Sequence, residues 1–156
     1  MVTGYLVDTN VVSAFAPGKP AVRPETAAWF EAQTDRLFLS AIGVIEIEAG
    51  IAKLRRSGSA RRAADLTIWL DRLLGLYGGK VLAVDVAVAR LAGAIADRAK
   101  ASGHDPGLAD IAIAATAEVH RLVVLTRNRR HFDPLGPTVL DPFEDTLPLE
   151  PPSVVS

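Results

Sequence analysis

Short apolar runs alternate along this chain with longer segments of helical periodicity. Runs of four or five apolar residues are typical of buried strands, whereas apolar residues at three- and four-residue spacing indicate helices packed on one side. We predict strands at residues 4–8, 36–39, 81–84, 122–125 and 138–140, and helices at residues 9–15, 25–33, 42–56, 60–76, 86–101 and 108–120. This alternation predicts the α/β class, as a three-layer α/β/α sandwich with a central, mainly parallel sheet.

Local signals predict the starts of two helices and the buried side of a third. Ser40 is a favoured N-cap residue for the helix at 42–56. Asp105 is also a favoured N-cap, because a proline follows it at the first helical position. Asp110 would then lie about one turn inside the helix. The predicted apolar face of the helix at 60–76 comprises Ala64, Ile68, Leu70, Leu73 and Leu74.

The composition allows one folded domain without disulfide bonds. A chain of 156 residues, 49% of them hydrophobic, can bury one substantial core. We assign residues 1–143 to this domain and residues 144–156 to a proline-rich tail, which we expect to be poorly ordered or draped over the surface. The absence of cysteine excludes disulfides, thiolate nucleophiles and cysteine-bound metals.

Charge and hydropathy favour a cytoplasmic protein with no membrane segment. The chain starts without a basic and then apolar leader, and no apolar run reaches the roughly 20 residues that span a bilayer. The net charge is −1, but arginine outnumbers lysine by 13 to 4, with clusters at residues 55–56, 61–62 and 127–130. Such clusters suit the phosphates of a nucleic acid. They are also typical of solvated helix faces, and composition alone favours this second interpretation.

Three acidic residues that are far apart in the sequence stand in apolar surroundings. Asp8 directly follows the first strand, while Glu46 and Asp110 interrupt apolar helical stretches. A charge buried alone is costly, so each of these acids needs a partner. In open α/β sheets, side chains at the carboxyl ends of the strands line one crevice. We therefore expect Asp8 and Asn128, which lies just beyond the strand at 122–125, at the same edge of the sheet.

Each acid also has a structural interpretation. Asp8 is a suitable N-cap for the helical turn that follows it. Glu46 and Glu48 both have small or apolar residues at three- and four-residue spacing, so periodicity does not distinguish them. Asp110 is the strongest candidate for a functional acid, because Asp105 would take the capping role and Asp110 would face the apolar side of its helix.

Converging carboxylates would point to a divalent metal ion. They repel one another and hold protons more tightly unless a cation neutralises them. Oxygen ligands without cysteine favour Mg²⁺, or Mn²⁺, over Zn²⁺. Such an ion lowers the pKa of a bound water and orients a phosphodiester for attack. His104, His120 and His131 lack metal-binding spacing and are expected to be exposed or capping residues.

Four segments of the chain carry these acids and their neighbours in a distinctive order. They are Leu6-Val7-Asp8-Thr9-Asn10, residues 40–51 with an acid four residues before a glycine, residues 110–117, and Leu125-Thr126-Arg127-Asn128 with Phe132. Together they resemble the motifs of PIN-domain nucleases, particularly the VapC-type toxins of bacterial toxin–antitoxin pairs. The second motif selects Glu46 over Glu48. The resemblance extends from Tyr5 to about Phe143.

The resemblance implies a PIN-like nuclease domain with Mg²⁺- or Mn²⁺-dependent endoribonuclease activity. Such an enzyme would hydrolyse RNA phosphodiesters with a metal-activated water. The resemblance also implies that the protein is the toxin of a type II toxin–antitoxin system. It implies that Asp8, Glu46 and Asp110 bind the metal, that Asn128 is a further catalytic residue, and that Thr126 supports the acids by hydrogen bonding. A homodimer and a small cognate antitoxin are also implied. Many relatives carry aspartate at the position of Asn128, and this difference weighs against a tightly held second metal ion.

Two other interpretations stay open. The chain could be a different metal-dependent phosphoesterase or nuclease, acting on another nucleic acid or on a small phosphate ester. It could also be a catalytically silent PIN-like binding protein with structural acids. Loss of metal-dependent cleavage on changing Asp8 or Asp110 would support an enzyme, whereas stabilisation without any activity to lose would support the silent protein.

Overall fold

A parallel sheet of five short strands forms the centre of the computed structural model, which describes residues 4–150. The strands are β1 (Gly4–Val7), β2 (Leu37–Ser40), β3 (Val81–Leu82), β4 (Leu122–Leu125) and β5 (Val139–Leu140). Their order across the sheet is β3-β2-β1-β4-β5, and each neighbouring pair is parallel. The predicted α/β class with a central parallel sheet is therefore confirmed.

Helices supply the crossovers that parallel strands require. They are α1 (Thr9–Val12), α2 (Pro24–Ala32), α3 (Ala41–Arg56), α4 (Ala60–Tyr77), α5 (Val86–Ala101), α6 (Leu108–His120) and α7 (Arg129–Phe132). The long helices lie within about two residues of their predicted bounds, as expected for strongly periodic segments. The short α7 was not predicted. Between residues 4 and 150, no helix combines the length and the apolar character needed to cross a bilayer.

Alternate residues of the central strands pack against helices on opposite sides of the sheet. Leu6 and Val124 belong to a core that α5 and α6 complete. Tyr5 and Val123 belong to a second core, which includes Trp29 of α2. All residues of β1 and β4 are buried, as expected for strands covered on both faces. Asp8, the first polar residue after β1, therefore directly follows a strand that is buried on both faces.

The pair formed by α3 and α4 is only partly covered by the rest of the chain. Ile51, Ala63 and Leu70 are its buried residues. The prediction that Ala64 and Ile68 face inward is wrong, because both are exposed. The apolar stripe of α4 follows Ala63 and Leu70, which pack against α3, so Ala64, one residue after Ala63, and Ile68, two residues before Leu70, turn towards solvent.

The segment after β5 lies across α2 as far as residue 150. The Trp29 indole N–H donates a hydrogen bond to Pro148 O at 2.7 Å, and Gln33 Nε2 donates to Leu149 O at 3.0 Å. Leu147 packs against the core that contains Trp29. Residues 144–150 therefore make specific contacts with the domain, while residues 151–156 of the predicted tail lie outside the described residues.

We predict that Ser40 contributes more to stability than Ser59, although each is the N-cap of a long helix. Ser40 Oγ accepts a hydrogen bond from Ile42 N at 3.1 Å, whereas Ser59 makes no side-chain cap bond. We expect Ser40→Ala to lower the free energy of unfolding by about 1 kcal/mol, and Ser59→Ala to change it by less than about 0.5 kcal/mol. Urea denaturation measures both values, and equal losses would contradict the assignment.

Candidate active site

Asp8 is buried at the carboxyl end of β1. Its backbone N donates to Leu125 O at 2.9 Å, so the pairing of β1 with β4 continues up to this residue. Its Oδ1 accepts a hydrogen bond from Thr9 N at 2.8 Å, and its Oδ2 accepts one from Thr126 Oγ1 at 2.8 Å. Asp8 therefore caps α1, as its structural interpretation predicts, and its second oxygen is held from the end of β4.

Thr126 is fully buried and connects three other residues to Asp8. Its Oγ1 accepts hydrogen bonds from Asn128 N at 3.0 Å and from Asn10 Nδ2 at 3.4 Å. Asn10 Oδ1 in turn accepts one from Arg127 N at 3.2 Å. These bonds tie the loop after β4 to α1 and fix the orientation of the Asp8 carboxylate.

Glu46 reaches the same edge of the sheet from α3. Its Oε1 accepts a hydrogen bond from Thr9 Oγ1 at 2.8 Å. Gly43 permits the close approach of the two helices, since a Cβ there would lie 3.3 Å from Thr9 Oγ1. The expectation that Glu46 stands in buried surroundings is wrong, since both Glu46 and Glu48 are exposed. Most of α3 is accessible to solvent, and Ile51 is its one buried residue.

Asp110 lies in the first turn of α6, which begins at Leu108. The predicted cap at Asp105 is wrong, because the backbone is still extended at Gly107, the actual N-cap. Asp110 is therefore the third helical residue, where the helix dipole favours a carboxylate. Its side chain is 27% exposed, and its Oδ2 lies 3.3 Å from His131 Nδ1. Asp110 therefore lies at the exposed start of the helix, and not on its apolar side as predicted.

The charges of Glu46 and Asp110 act on Asp8. The pKa of Asp8 is raised to about 6. Burial of the carboxylate is the largest cause, the negative charges of Glu46 and Asp110 raise the pKa further, and the hydrogen bonds from Thr126 and Thr9 oppose these effects. Glu46 and Asp110 thus lie near enough to Asp8 for their charges to act on it.

The donor chemistry of these residues fits a hard divalent cation. All three donors are carboxylates, and a cation beside them would offset the charge that raises the pKa of Asp8. As arranged, no three acidic, histidine or cysteine side chains of residues 4–150 are close enough to hold an ion together. Glu46 is exposed and bound by one hydroxyl, so it can turn towards Asp8 without disturbing the core.

The polar residues of α7 and α1 complete the surroundings of the acids. The backbone of Asn128 lies at the same edge as Asp8, as predicted, but its side chain is exposed. His131 is exposed, as predicted, and its pairing with Asp110 was missed because α7 is too short to show periodicity. The roles of Thr9 and Asn10 were also missed; the available signal was their place on the helical turn directly after Asp8.

The arrangement matches that of a known family over most of the chain. A PIN domain model matches residues 5–135, so the chain belongs to the PIN-domain family, as its motifs predict. It is 35% identical to VapC ribonuclease Y4jK of Sinorhizobium fredii over 144 residues, which cover 89% of this chain and 97% of that protein. It is 34% identical over 142 residues to toxin FitB of Neisseria gonorrhoeae, with 90% and 99% covered. The crystal structure of FitAcB from Neisseria gonorrhoeae superposes with a TM-score of 0.78 at 33% identity, covering 90% of this chain and 99% of that one.

We predict that Asp8→Asn stabilises the metal-free protein at neutral pH. The pKa of Asp8 rises from its ordinary 3.8 to about 6 on folding, so the folded state holds the proton more tightly than the unfolded state. Ionisation therefore destabilises the fold: the penalty is absent below about pH 4, grows as the pH rises towards 6, and persists above it. The pKa difference corresponds to at most about 3 kcal/mol.

Urea denaturation in chelator at pH 4 and pH 7.5 measures this effect. We expect Asp8→Asn to raise the free energy of unfolding by about 1–3 kcal/mol at pH 7.5 and to flatten its pH dependence. Asp97→Asn, which removes an exposed acid of α5, is the matched control and should change little. Loss of stability in Asp8→Asn at pH 7.5 would show that the buried charge is not a net cost.

Proposed function

We propose that this chain is a metal-dependent endoribonuclease, the toxin of a type II toxin–antitoxin pair, and that it hydrolyses RNA phosphodiesters. The proposal is supported by the group of acids around Asp8, whose pKa the charges of Glu46 and Asp110 raise. Such a cluster would repel a phosphate unless a cation neutralised it. The ribonuclease and toxin names of the similar proteins support RNA as the substrate.

In this proposal Asp8, Glu46 and Asp110 hold Mg²⁺, for which Mn²⁺ can substitute. A divalent ion bound there supplies a water of lowered pKa and stabilises charge on the phosphate oxygens. Thr126 keeps the Asp8 carboxylate oriented, and His131 does the same for Asp110. Asn128 offers a neutral hydrogen-bonding amide at the rim, one negative charge fewer than an aspartate would bring.

We also propose a small antitoxin as the inhibitor, a homodimer as the assembly, and the cytoplasm as the location. An apolar cavity of about 230 Å³ supports a protein partner; its walls include Val12, Phe15, Phe30 and Leu73. Phe15 is partly exposed there, so a partner helix or extended segment could cover it with an apolar side chain. The toxin name of the relative from Neisseria gonorrhoeae supports an inhibitory partner for this chain.

The two glutamates of α3 allow a sharp test of the ribonuclease proposal. Purified, partner-free protein is incubated with a panel of structured RNAs in Mg²⁺, in Mn²⁺ and in chelator. We expect cleavage with either metal and none in chelator. Glu46→Gln and Asp110→Asn should each reduce cleavage by at least about 100-fold, because each removes a proposed metal ligand and not merely a residue that hydrogen-bonds to one.

Glu48→Gln is the matched control. Glu48 lies on the same helix and is equally exposed, so its loss should leave cleavage near that of the unchanged protein. Equal losses in Glu46→Gln and Glu48→Gln would contradict the assignment of the ligand. Intact RNA under all conditions, with the metal shown to bind, would favour a different phosphate substrate or a silent binding protein.

A further inference from the structure

A groove of about 450 Å³ lies beside the candidate active site. Its lining includes the loop of residues 19–23, together with Arg127 and Phe143. Three cations, Lys19, Arg23 and Arg127, line the groove, and none of its described lining residues is acidic. The groove is therefore a basic surface next to an acidic centre.

Hydrogen bonds join the inner end of the groove to Asp8. Asn10 lines the groove and donates through Nδ2 to Thr126 Oγ1, which itself donates to Asp8. The other side of the Asn10 amide accepts a hydrogen bond from Arg127 N at 3.2 Å. Asn10 and Thr126 thus link the lining of the groove to the central carboxylate, so the groove lies close to the acids.

The three cations of the groove are engaged to different degrees. Arg23 donates to Phe143 O at 2.8 Å and lies 3.7 Å from Glu25, so it is committed to protein contacts. The Arg127 guanidinium lies over the Phe143 ring, 4.9 Å from the centroid, which fixes its position without neutralising it. Among the described residues, no acid pairs with Lys19 or Arg127. These two cations remain available to an anionic ligand.

We propose that Lys19 and Arg127 bind backbone phosphates of the RNA strand next to the bond that is cut. This inference rests on the proposed ribonuclease function and names where the substrate is held. Three carboxylates with one divalent ion carry no net positive charge, so affinity for a polyanion has to come from nearby cations. An arginine that stacks on an aromatic ring keeps its N–H edge for phosphate, which makes Phe143 a positioning residue for Arg127.

The test measures RNA binding separately from cleavage. A short, fluorescently labelled single-stranded RNA is titrated by anisotropy with full-length protein carrying Asp110→Asn, which prevents cleavage during the measurement. Adding Lys19→Gln and Arg127→Gln should weaken binding by at least about 10-fold at low salt. The slope of log Kd against log salt should fall by about 1.4, because each phosphate contact on a single strand contributes about 0.7.

The matched control removes two charges elsewhere. Arg90→Gln with Lys100→Gln changes two exposed cations of α5 that do not line the groove, and it should leave affinity and salt slope nearly unchanged. All four replaced side chains are exposed, so both double variants should fold, which circular dichroism checks.

The outcomes separate this inference from the proposed function. If the unchanged protein cleaves RNA but both double variants bind it equally well, the groove assignment is wrong and the ribonuclease proposal stands. If RNA binding depends on Lys19 and Arg127 but no RNA is cleaved, the groove is an RNA-binding surface without an adjacent cleavage site, and the ribonuclease proposal fails. A polyglutamate peptide is the second probe: binding of this peptide through Lys19 and Arg127, with RNA affinity unaffected by them, would assign the groove to an acidic protein and overturn the RNA assignment.

Discussion

The parallel pairing of β1 with β4 is the constraint on which the rest of the site depends. Four residue pairs, from Gly4 with Leu122 to Val7 with Leu125, bring the carboxyl ends of the two strands level. Asp8 and Thr126 therefore meet one residue beyond the sheet, and their hydrogen bond fixes the central carboxylate. The loop after Thr126 then leads to α7, which carries His131 to Asp110. Two buried apolar strands thus determine where Asp8 and Thr126 lie.

We expect the same arrangement to make the folded chain less stable than an uncharged equivalent. Asp8 is buried, and the hydrogen bonds it accepts do not cancel the effects of burial and of the nearby Glu46 and Asp110 on its pKa. Retaining charges at such a cost is typical of functional sites. The excess negative charge also fits the proposed role of the groove, because a polyanionic substrate would need cations close to the acids but outside their cluster.

The sequence predicted those features that depend on periodicity and on topology. Buried strands and long helices have repeating apolar patterns, and parallel strands necessarily bring Asp8 and the loop of Asn128 to one edge. The errors concern tertiary exposure, which local pattern does not encode. Glu46 stands among apolar residues in sequence, yet much of α3 faces solvent because α3 packs chiefly along one side. Asp110 was predicted as a functional acid because Asp105 was expected to cap α6, and the actual N-cap at Gly107 removes that argument. Asp110 nevertheless lies near the other acids.

Direct measurement of metal binding shows whether these acids form one cation site. Manganese can be titrated into the chelator-treated protein while the free ion is followed by electron paramagnetic resonance. We expect saturable binding that is weakened at least about 10-fold by Glu46→Gln or Asp110→Asn and unchanged by Glu48→Gln. Absence of saturable binding, or binding that none of these substitutions alters, would contradict this expectation.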